Sequence, residues 1–244
     1  MRSLWIITWR ELGAYFSTPL AYVFLVIFLA GAGAVTFYMG DFFGRRQADL
    51  LAFFGFHPWL FLVLIPAVGM RLWAEERKSG TIELLMTLPV TTGQVVAGKF
   101  LAAWAFTAIA IALTFPIWIS VAYLGEPDHG VIFASYLGSL LMAGALLALT
   151  SCLSALTKNQ VIAFVVGAAA SFIFMMSGLD IVLGFFTNWA PAYIVDLIAS
   201  MSFLTHFQTI TKGVVEVPSV VFFLSMMAVC LFINVQIVEL KKAG

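Results

Sequence analysis

Apolar residues fill six long stretches of the chain, and short polar segments separate them. A helix that crosses about 30 Å of hydrocarbon at about 1.5 Å per residue needs about 20 mostly apolar residues. The pattern therefore predicts transmembrane helices at residues 20–40, 50–70, 100–124, 131–156, 161–186 and 220–240. We expect one all-α membrane domain spanning residues 1–244.

Prolines and small residues add detail to these spans. Pro58 and Pro66 in the second span and Pro116 in the third predict kinks, because proline removes a helical hydrogen bond. Small residues at every fourth position let helix backbones approach closely. They recur as Ala163, Gly167 and Ser171 in the fifth span and as Gly144 and Ala148 in the fourth.

The composition excludes a water-soluble fold. Hydrophobic residues make up 63% of the chain and charged residues 10%, against roughly 45–50% and about 25% in soluble domains. Twelve Lys and Arg residues balance twelve Asp and Glu residues. No basic block is present that could bind nucleic acid. Cys152 and Cys230 lie far apart in apolar runs and are expected to be buried and unpaired.

The charge distribution predicts the orientation of the spans. Six spans put both termini on one side, and cytoplasmic segments of membrane proteins carry an excess of Lys and Arg. The side of the termini holds nine of the twelve basic residues. The far side holds only Arg45, Arg46 and Lys212. Cytoplasmic termini follow from this bias.

Two segments outside the spans are too apolar for free loops. Residues 1–19 place Trp5 and Trp9 at helical spacing among charged residues, which is typical of a helix in the headgroup region. Residues 187–218 contain aromatic residues such as Trp189 but are interrupted by prolines. We expect one or two short helices there, re-entrant or interfacial.

The most charged part of the chain follows the second span. Ser79-Gly80 is expected to end one helix, Thr81 to cap the next, and Pro89 to stop it. That short helix shows Ile82, Leu85 and Met86 on one side, so it has an apolar face to bury. Its partner is either another protein or the lipid headgroups.

Enzyme motifs are incomplete in this sequence. Gly93 to Lys99 nearly spells a P-loop, but Phe100 replaces the hydroxyl that binds magnesium. Ser177-Gly178 is the nearest match to the nucleophile of an intramembrane serine protease, but the sixth span has no histidine to act as its base. Neither motif predicts activity in this chain alone.

The remaining polar candidates also have plain interpretations. His57, His129 and His206 lack the spacing of a metal site, and we interpret them as ordinary interfacial histidines. Asp180 is the only carboxylate in the fifth span. Its place near the outer end favours solvation over a role in a transport pathway.

A characteristic run of residues follows the second span: Glu75, Glu76, Arg77, Lys78, Ser79, Gly80, Thr81, Ile82, Glu83, Leu84 and Leu85, then Leu88, Pro89 and Val90, then Gly98 and Lys99. This run resembles the permeases of the ABC-2 transporter family. Arg10, Glu11 and Tyr15 resemble the family's N-terminal interfacial helix. Ser202-Phe203 and Lys212-Gly213-Val214 resemble the branch named for gliding-motility permeases.

The resemblance implies a permease subunit of an ATP-binding-cassette exporter in a bacterial inner membrane. Two copies of a separate ATPase would bind ATP and magnesium, and two permease copies, expected to be identical, would bind no cofactor. Residues 81–88 would form the coupling helix that fits the ATPase, with Glu75 to Lys78 as a polar joint around it. Some members of the branch also work with a membrane protein that has an extracytoplasmic domain.

A second class of function fits the same residues. A membrane scaffold could bind the ATPase through the same loop and signal without moving a substrate. The sequence identifies no cargo, because members of one fold family carry different functions.

Overall fold

A computed structural model describes residues 2–45, 47–81, 90–187 and 190–241. Within these ranges the chain forms twelve α-helices and no strand. Their bounds are α1 Arg2–Phe16, α2 Pro19–Ala34, α3 Leu51–Gly69, α4 Arg71–Ser79, α5 Thr92–Ala112, α6 Phe115–Leu124, α7 His129–Ser154, α8 Gln160–Met176, α9 Asp180–Thr187, α10 Ala192–Ser200, α11 Phe203–Thr211 and α12 Val217–Leu240.

Five helical segments are long and apolar enough to cross a membrane. They correspond to five of the spans predicted from the sequence: α2 with a π-helical end at Val35–Met39, α3 with α4, α5 with α6, α7, and α12. Pro58 and Pro66 lie inside α3 without breaking it. Pro116 stands at the start of α6, after a break between α5 and α6.

The fifth predicted span differs from the expectation. The sequence predicted one helix over 161–186, whereas α8 ends at Met176 and α9 leaves it at a bend of 77°. Apolar residues resume directly after the bend, so average hydropathy did not reveal it, although Ser177, Gly178 and Asp180 interrupt the apolar run there. Asp180 begins α9 and is exposed, which places it outside the straight part of the span.

The segment before the last span forms two short helices, α10 and α11, as expected. The two helices differ in burial: α10 has no buried residue, whereas α11 buries Phe203 and Phe207. Packing of α11 on α7 explains this difference. Asn188 and Trp189 lie outside the described residues.

Helix α7 is the centre of the bundle and packs against α3, α5, α8, α11 and α12. Small residues allow this, as the spacing in the sequence predicted. A side-chain carbon added to Gly144 would lie 2.8 Å from Trp104 Nε1 and 2.9 Å from Met227 Cε. Ala163, Gly167 and Ser171 likewise line the buried face of α8. Cys152 and Cys230 are buried and free.

Both ends of the described chain lie at the same end of the bundle. Helix α1 packs along α5, and the Lys241 ammonium after α12 donates to the Leu156 carbonyl after α7 at 2.7 Å. Helix α4 contacts α7 and α8 in the same region. The short helices α9 to α11 follow the far end of α8, so the two ends of the bundle differ in character.

We predict that Gly144→Val destabilises the bundle by about 1–3 kcal/mol, because overpacking forces α5 and α12 away from α7. Thermal unfolding of the purified protein in detergent measures this. Gly33→Val is the matched control, since no atom lies within 4 Å of the added carbon. Equal loss of stability in the two variants would contradict the packing assignment.

Candidate functional site

The candidate site is a polar junction where α1, α4 and α5 meet. Helix α5 begins with a capping box in which Thr91 Oγ1 accepts from the Gln94 amide at 3.3 Å and the Gln94 side chain accepts from the Thr91 amide at 3.4 Å. This start places Gly98 and Lys99 in the second turn. A side-chain carbon at Gly98 would lie 2.7 Å from Ile7, so glycine lets α1 lie directly on α5.

Lys99 joins the three helices through its charge. Its Nζ lies 2.6 Å from Glu76 Oε1 on α4 and 3.1 Å from Glu11 Oε2 on α1. The Lys99 side chain is only 3% exposed, and its Nζ lies 5.7 Å from the centre of the Trp73 ring. Two carboxylates and an aromatic face therefore replace the water that a buried ammonium loses.

The two carboxylates around Lys99 have different surroundings. Burial alone would raise the pKa of the Glu11 carboxyl, but the charge of Lys99 and hydrogen bonds from Arg10 and Lys99 outweigh it and hold this pKa below 4.5. The second oxygen of Glu76 is buried and has no hydrogen-bond partner in the described part of the chain. The junction can therefore accept one further hydrogen-bond donor.

A cavity of about 260 Å³ opens beside this ion-pair network. Its charged wall consists of Glu11, Arg71, Glu75, Glu76 and Lys99. Arg71 Nε lies 2.9 Å from Glu75 Oε2, one turn away on α4. Tyr15 is buried in another wall, where its ring stacks on Phe106 at 5.2 Å, and burial raises the pKa of its hydroxyl.

Helix α4 is also bonded to the end of α7. Ser154 Oγ donates to the Met70 carbonyl at 2.9 Å and accepts from the amides of Trp73 at 3.3 Å and Ala74 at 3.1 Å. The Trp73 indole donates to Ser151 Oγ at 3.2 Å, and so does the Asn234 amide of α12 at 2.8 Å. These bonds join α4, α7 and α12 into one unit.

The predicted site residues that the structure describes lie in two groups, one on α4 and the turn after it and the other on α1. Glu75, Glu76 and Arg77 lie on α4. Glu76 and Arg77 bond to other helices, Arg77 to the Ala155 carbonyl at 2.7 Å, whereas Glu75 pairs with Arg71 on α4 itself. Lys78 and Ser79 are exposed at its end. Gly80 ends α4 with φ 73°, a left-handed conformation that favours glycine. Thr81 Oγ1 turns back to Ser79 Oγ at 2.9 Å. The predicted coupling helix spans residues 81–88, and all of it after Thr81 lies outside the described residues, as does Pro89.

Arg10, Glu11 and Tyr15 come together with this group through α1. Arg10 Nη2 lies 2.6 Å from Glu11 Oε1, and Glu11 reaches Lys99. The helix expected from the sequence is present, and Trp5 and Trp9 are exposed on it. Its position in the headgroup region remains a prediction.

Sequence reasoning did not identify the central role of Lys99. It appeared there as part of a family pattern and of an incomplete P-loop. A lysine at the beginning of an apolar span is itself a signal, because a charge withdrawn from water needs partners. The serines of α7 that bind α4 carry no such signal, since serine is common in packed membrane helices.

The structure gives His57 and Ser177, two other candidate residues from the sequence, roles in hydrogen bonding and packing. His57 is not an ordinary interfacial histidine: it is fully buried, and its Nδ1 lies 2.8 Å from Ser139 Oγ. Ser177, the possible protease nucleophile, donates to the Phe174 carbonyl at 3.0 Å. A side chain at Gly178 would come within 2.6 Å of Ser202, so packing of α8 on α11 accounts for the glycine.

These features define a multi-pass helical membrane protein with a buried ion-pair network at one end of the bundle. The family model described as ABC-2 family transporter protein matches residues 5–238. The chain therefore belongs to the ABC-2 transporter family, which makes it a membrane permease subunit and implies an ABC ATPase as its partner. No curated protein matches the chain.

We predict that Lys99→Met lowers the free energy of unfolding by about 3 kcal/mol, because it leaves Glu76 without a counter-charge and leaves Glu11 with Arg10 alone. Thermal or denaturant unfolding in detergent measures this. Lys212→Met is the control, since Lys212 is exposed at the other end of the bundle. A similar loss of unfolding free energy in both variants would show that the ion pairs of Lys99 stabilise the fold no more than an exposed lysine does.

We also predict a pH dependence that Glu11 causes. Because its folded pKa is lowered, Glu11 stabilises the fold above about pH 5, and this stabilisation disappears as the pH falls through and below 4.5. Melting temperatures measured from pH 7 to about pH 3.5 should therefore fall less steeply in Glu11→Gln than in the wild type. Glu126→Gln, at an exposed site, should keep the wild-type slope. Parallel curves for all three proteins would refute this assignment.

Proposed function

We propose that this chain is the permease subunit of an ATP-binding-cassette exporter, driven by a separate ATPase that binds the loop after α4. The observation that carries this proposal is the attachment of α4. Its first turns bond to Ser154 of α7, and Glu76 bonds to Lys99 of α5. A force applied beyond Gly80 would therefore reach α1, α5, α7 and α12 together, instead of being absorbed by a flexible loop.

Residues 81–88 form the coupling helix in this proposal, and they continue directly from the described end of α4. Glu75, Glu76, Arg77 and Lys78 surround its base as a polar joint. Glu83, Leu84 and Leu85, with Leu88 and Pro89, contact the ATPase. Only contacts that differ between the nucleotide states of the ATPase can shift the permease between its conformations.

The assembly we propose contains two identical permease copies and two ATPase copies in a bacterial inner membrane. ATP and magnesium bind the ATPase, and the permease carries no cofactor. The termini face the cytoplasm, supported by the excess of Lys and Arg at the end of the bundle that holds α1 and α4. Export, membership of the gliding-motility branch and an auxiliary protein with an extracytoplasmic domain rest on the family resemblance.

A scaffold that couples ATPase binding to signalling is the competing function. The scaffold would use the same polar joint as the permease, but it would not move a substrate when the ATPase hydrolyses ATP. Comparing what wild-type cells and cells with a hydrolysis-defective ATPase release into the medium separates the two. A compound released only with the active ATPase identifies the cargo and excludes a pure scaffold.

We predict that Glu83→Ala and Leu85→Ala weaken ATPase coupling without affecting membrane insertion. The tagged chain is purified from membranes in mild detergent, the co-purifying ATPase is quantified by mass spectrometry, and ATP hydrolysis is measured after reconstitution. The wild-type protein should retain an ATPase in an amount equal to its own. In each variant the amount of retained ATPase, or the rate of stimulated ATP hydrolysis, should fall several-fold. Glu126→Ala is the control at the opposite end.

Two results would contradict the proposal. Reproducible absence of an ATP-hydrolysing partner from the wild-type complex would overturn the permease mechanism. Unchanged retention and hydrolysis in both loop variants would remove residues 81–88 from the coupling role.

A further inference from the structure

Four basic side chains gather where α4, the α7–α8 connection and α12 meet: Arg77, Lys78, Lys158 and Lys241. Two of them bond to the end of α7. Arg77 donates to the Ala155 carbonyl at 2.7 Å, and Lys241 donates to the carbonyls of Ala155 at 3.3 Å and Leu156 at 2.7 Å. Desolvation, followed by the charges of Arg77 and Lys158, lowers the pKa of Lys241, which shows how closely these cations approach one another.

Carboxylates do not neutralise this cluster in the described part of the chain. The two acidic residues of α4 are turned elsewhere, Glu75 to Arg71 and Glu76 to Lys99. Glu239 in the last turn of α12 is exposed and forms no ion pair with the cluster among the described residues. A site with this excess of positive charge attracts an anion.

Two of these lysines border an open cavity of about 350 Å³. Lys78 lines one part of the cavity, and residues Thr157 to Val161, which include Lys158, line the rest. The positive N-terminal end of the 17-residue helix α8 begins here, where Asn159 Oδ1 caps the Val161 amide at 2.9 Å. The cavity thus offers two ammonium groups, the Thr157 hydroxyl and the positive end of α8, a set suited to a phosphate group.

An exposed apolar face begins directly beside the cavity. Val161 is 68% exposed and Ile162 52%, and the strip continues along α8 through Val165 to Phe172. The opposite face of α8, with Ala163 and Gly167, is packed inside the bundle. A ligand that matches both parts has an anionic head and an apolar body. A free phosphate would leave the apolar strip unused, and an acidic protein would not reach along a membrane helix.

We propose that Lys78, Lys158 and the start of α8 bind the headgroup of an anionic phospholipid whose acyl chains lie along the exposed face of α8. The orientation in the proposed function places this lipid in the cytoplasmic leaflet, where basic pockets at helix ends bind acidic headgroups. Arg77 and Lys241 hold the carbonyl end of α7 and raise the positive potential. The lipid would contact α4 just before the proposed coupling helix, so membrane composition would affect that joint.

The test is a lipid titration of the purified chain without any ATPase, followed by native mass spectrometry. The probes are dioleoyl-phosphatidylglycerol and dioleoyl-phosphatidylcholine, which share their acyl chains and carry an anionic and a zwitterionic headgroup, respectively. We expect the wild-type protein to prefer the anionic lipid and Lys78→Gln/Lys158→Gln to bind it roughly tenfold more weakly. Arg45→Gln/Lys212→Gln removes the same charge at the other end and should keep wild-type binding.

Each other outcome overturns the proposal. Equal binding of the two lipids, or an equal loss in both double variants, shows only a general charge effect. Displacement of the lipid by millimolar inorganic phosphate shows a free-phosphate site. Unchanged binding of the anionic lipid by Lys78→Gln/Lys158→Gln shows that these lysines do not hold the headgroup. Because the titration contains no ATPase, its result is independent of whether the coupling proposal holds.

Discussion

The arrangement of one end of this protein depends on keeping the charge of Lys99 satisfied away from water. A buried ammonium is costly unless counter-charges surround it, and Lys99 obtains one carboxylate from α1 and another from α4. These helices lie far apart in the chain. Close contact at Gly98 holds α1 on α5, bonds to Ser154 hold α4 on α7, and the ion-pair network joins α1 and α4 to each other through Lys99.

Helix α7 has a second organising role, which depends on small and hydroxyl-bearing residues. Gly144 brings α5 and α12 close, and the serine hydroxyls near its end serve as shared hydrogen-bond partners. Ser154 alone bonds to three backbone groups of Met70, Trp73 and Ala74. In a hydrocarbon environment such groups must be satisfied internally, so these bonds also hold α4 in a defined position.

The two ends of the bundle differ in structure. One end holds four of the five ion pairs among the described residues, the helix α4 and the basic cluster, and its parts are bonded to one another. The far end contains the bent α8–α9 pair and the short helices α10 and α11, of which α10 has no buried residue.

The sequence by itself determined the class of the protein and most of its spans. Length and hydropathy were sufficient for α2, α3, α7 and α12, because each is one apolar stretch that a helix must span unaided. Gly80 after Ser79 was sufficient to end α4, because a left-handed residue there is a local requirement.

Only the tertiary structure decided the rest. The bend after Met176, the burial of His57 and the partners of Lys99 arise from contacts between residues far apart in the chain. Local pattern contains no information about such partners. The same lysine would have been an ordinary charge at the membrane surface had α1 and α4 not brought their carboxylates to it.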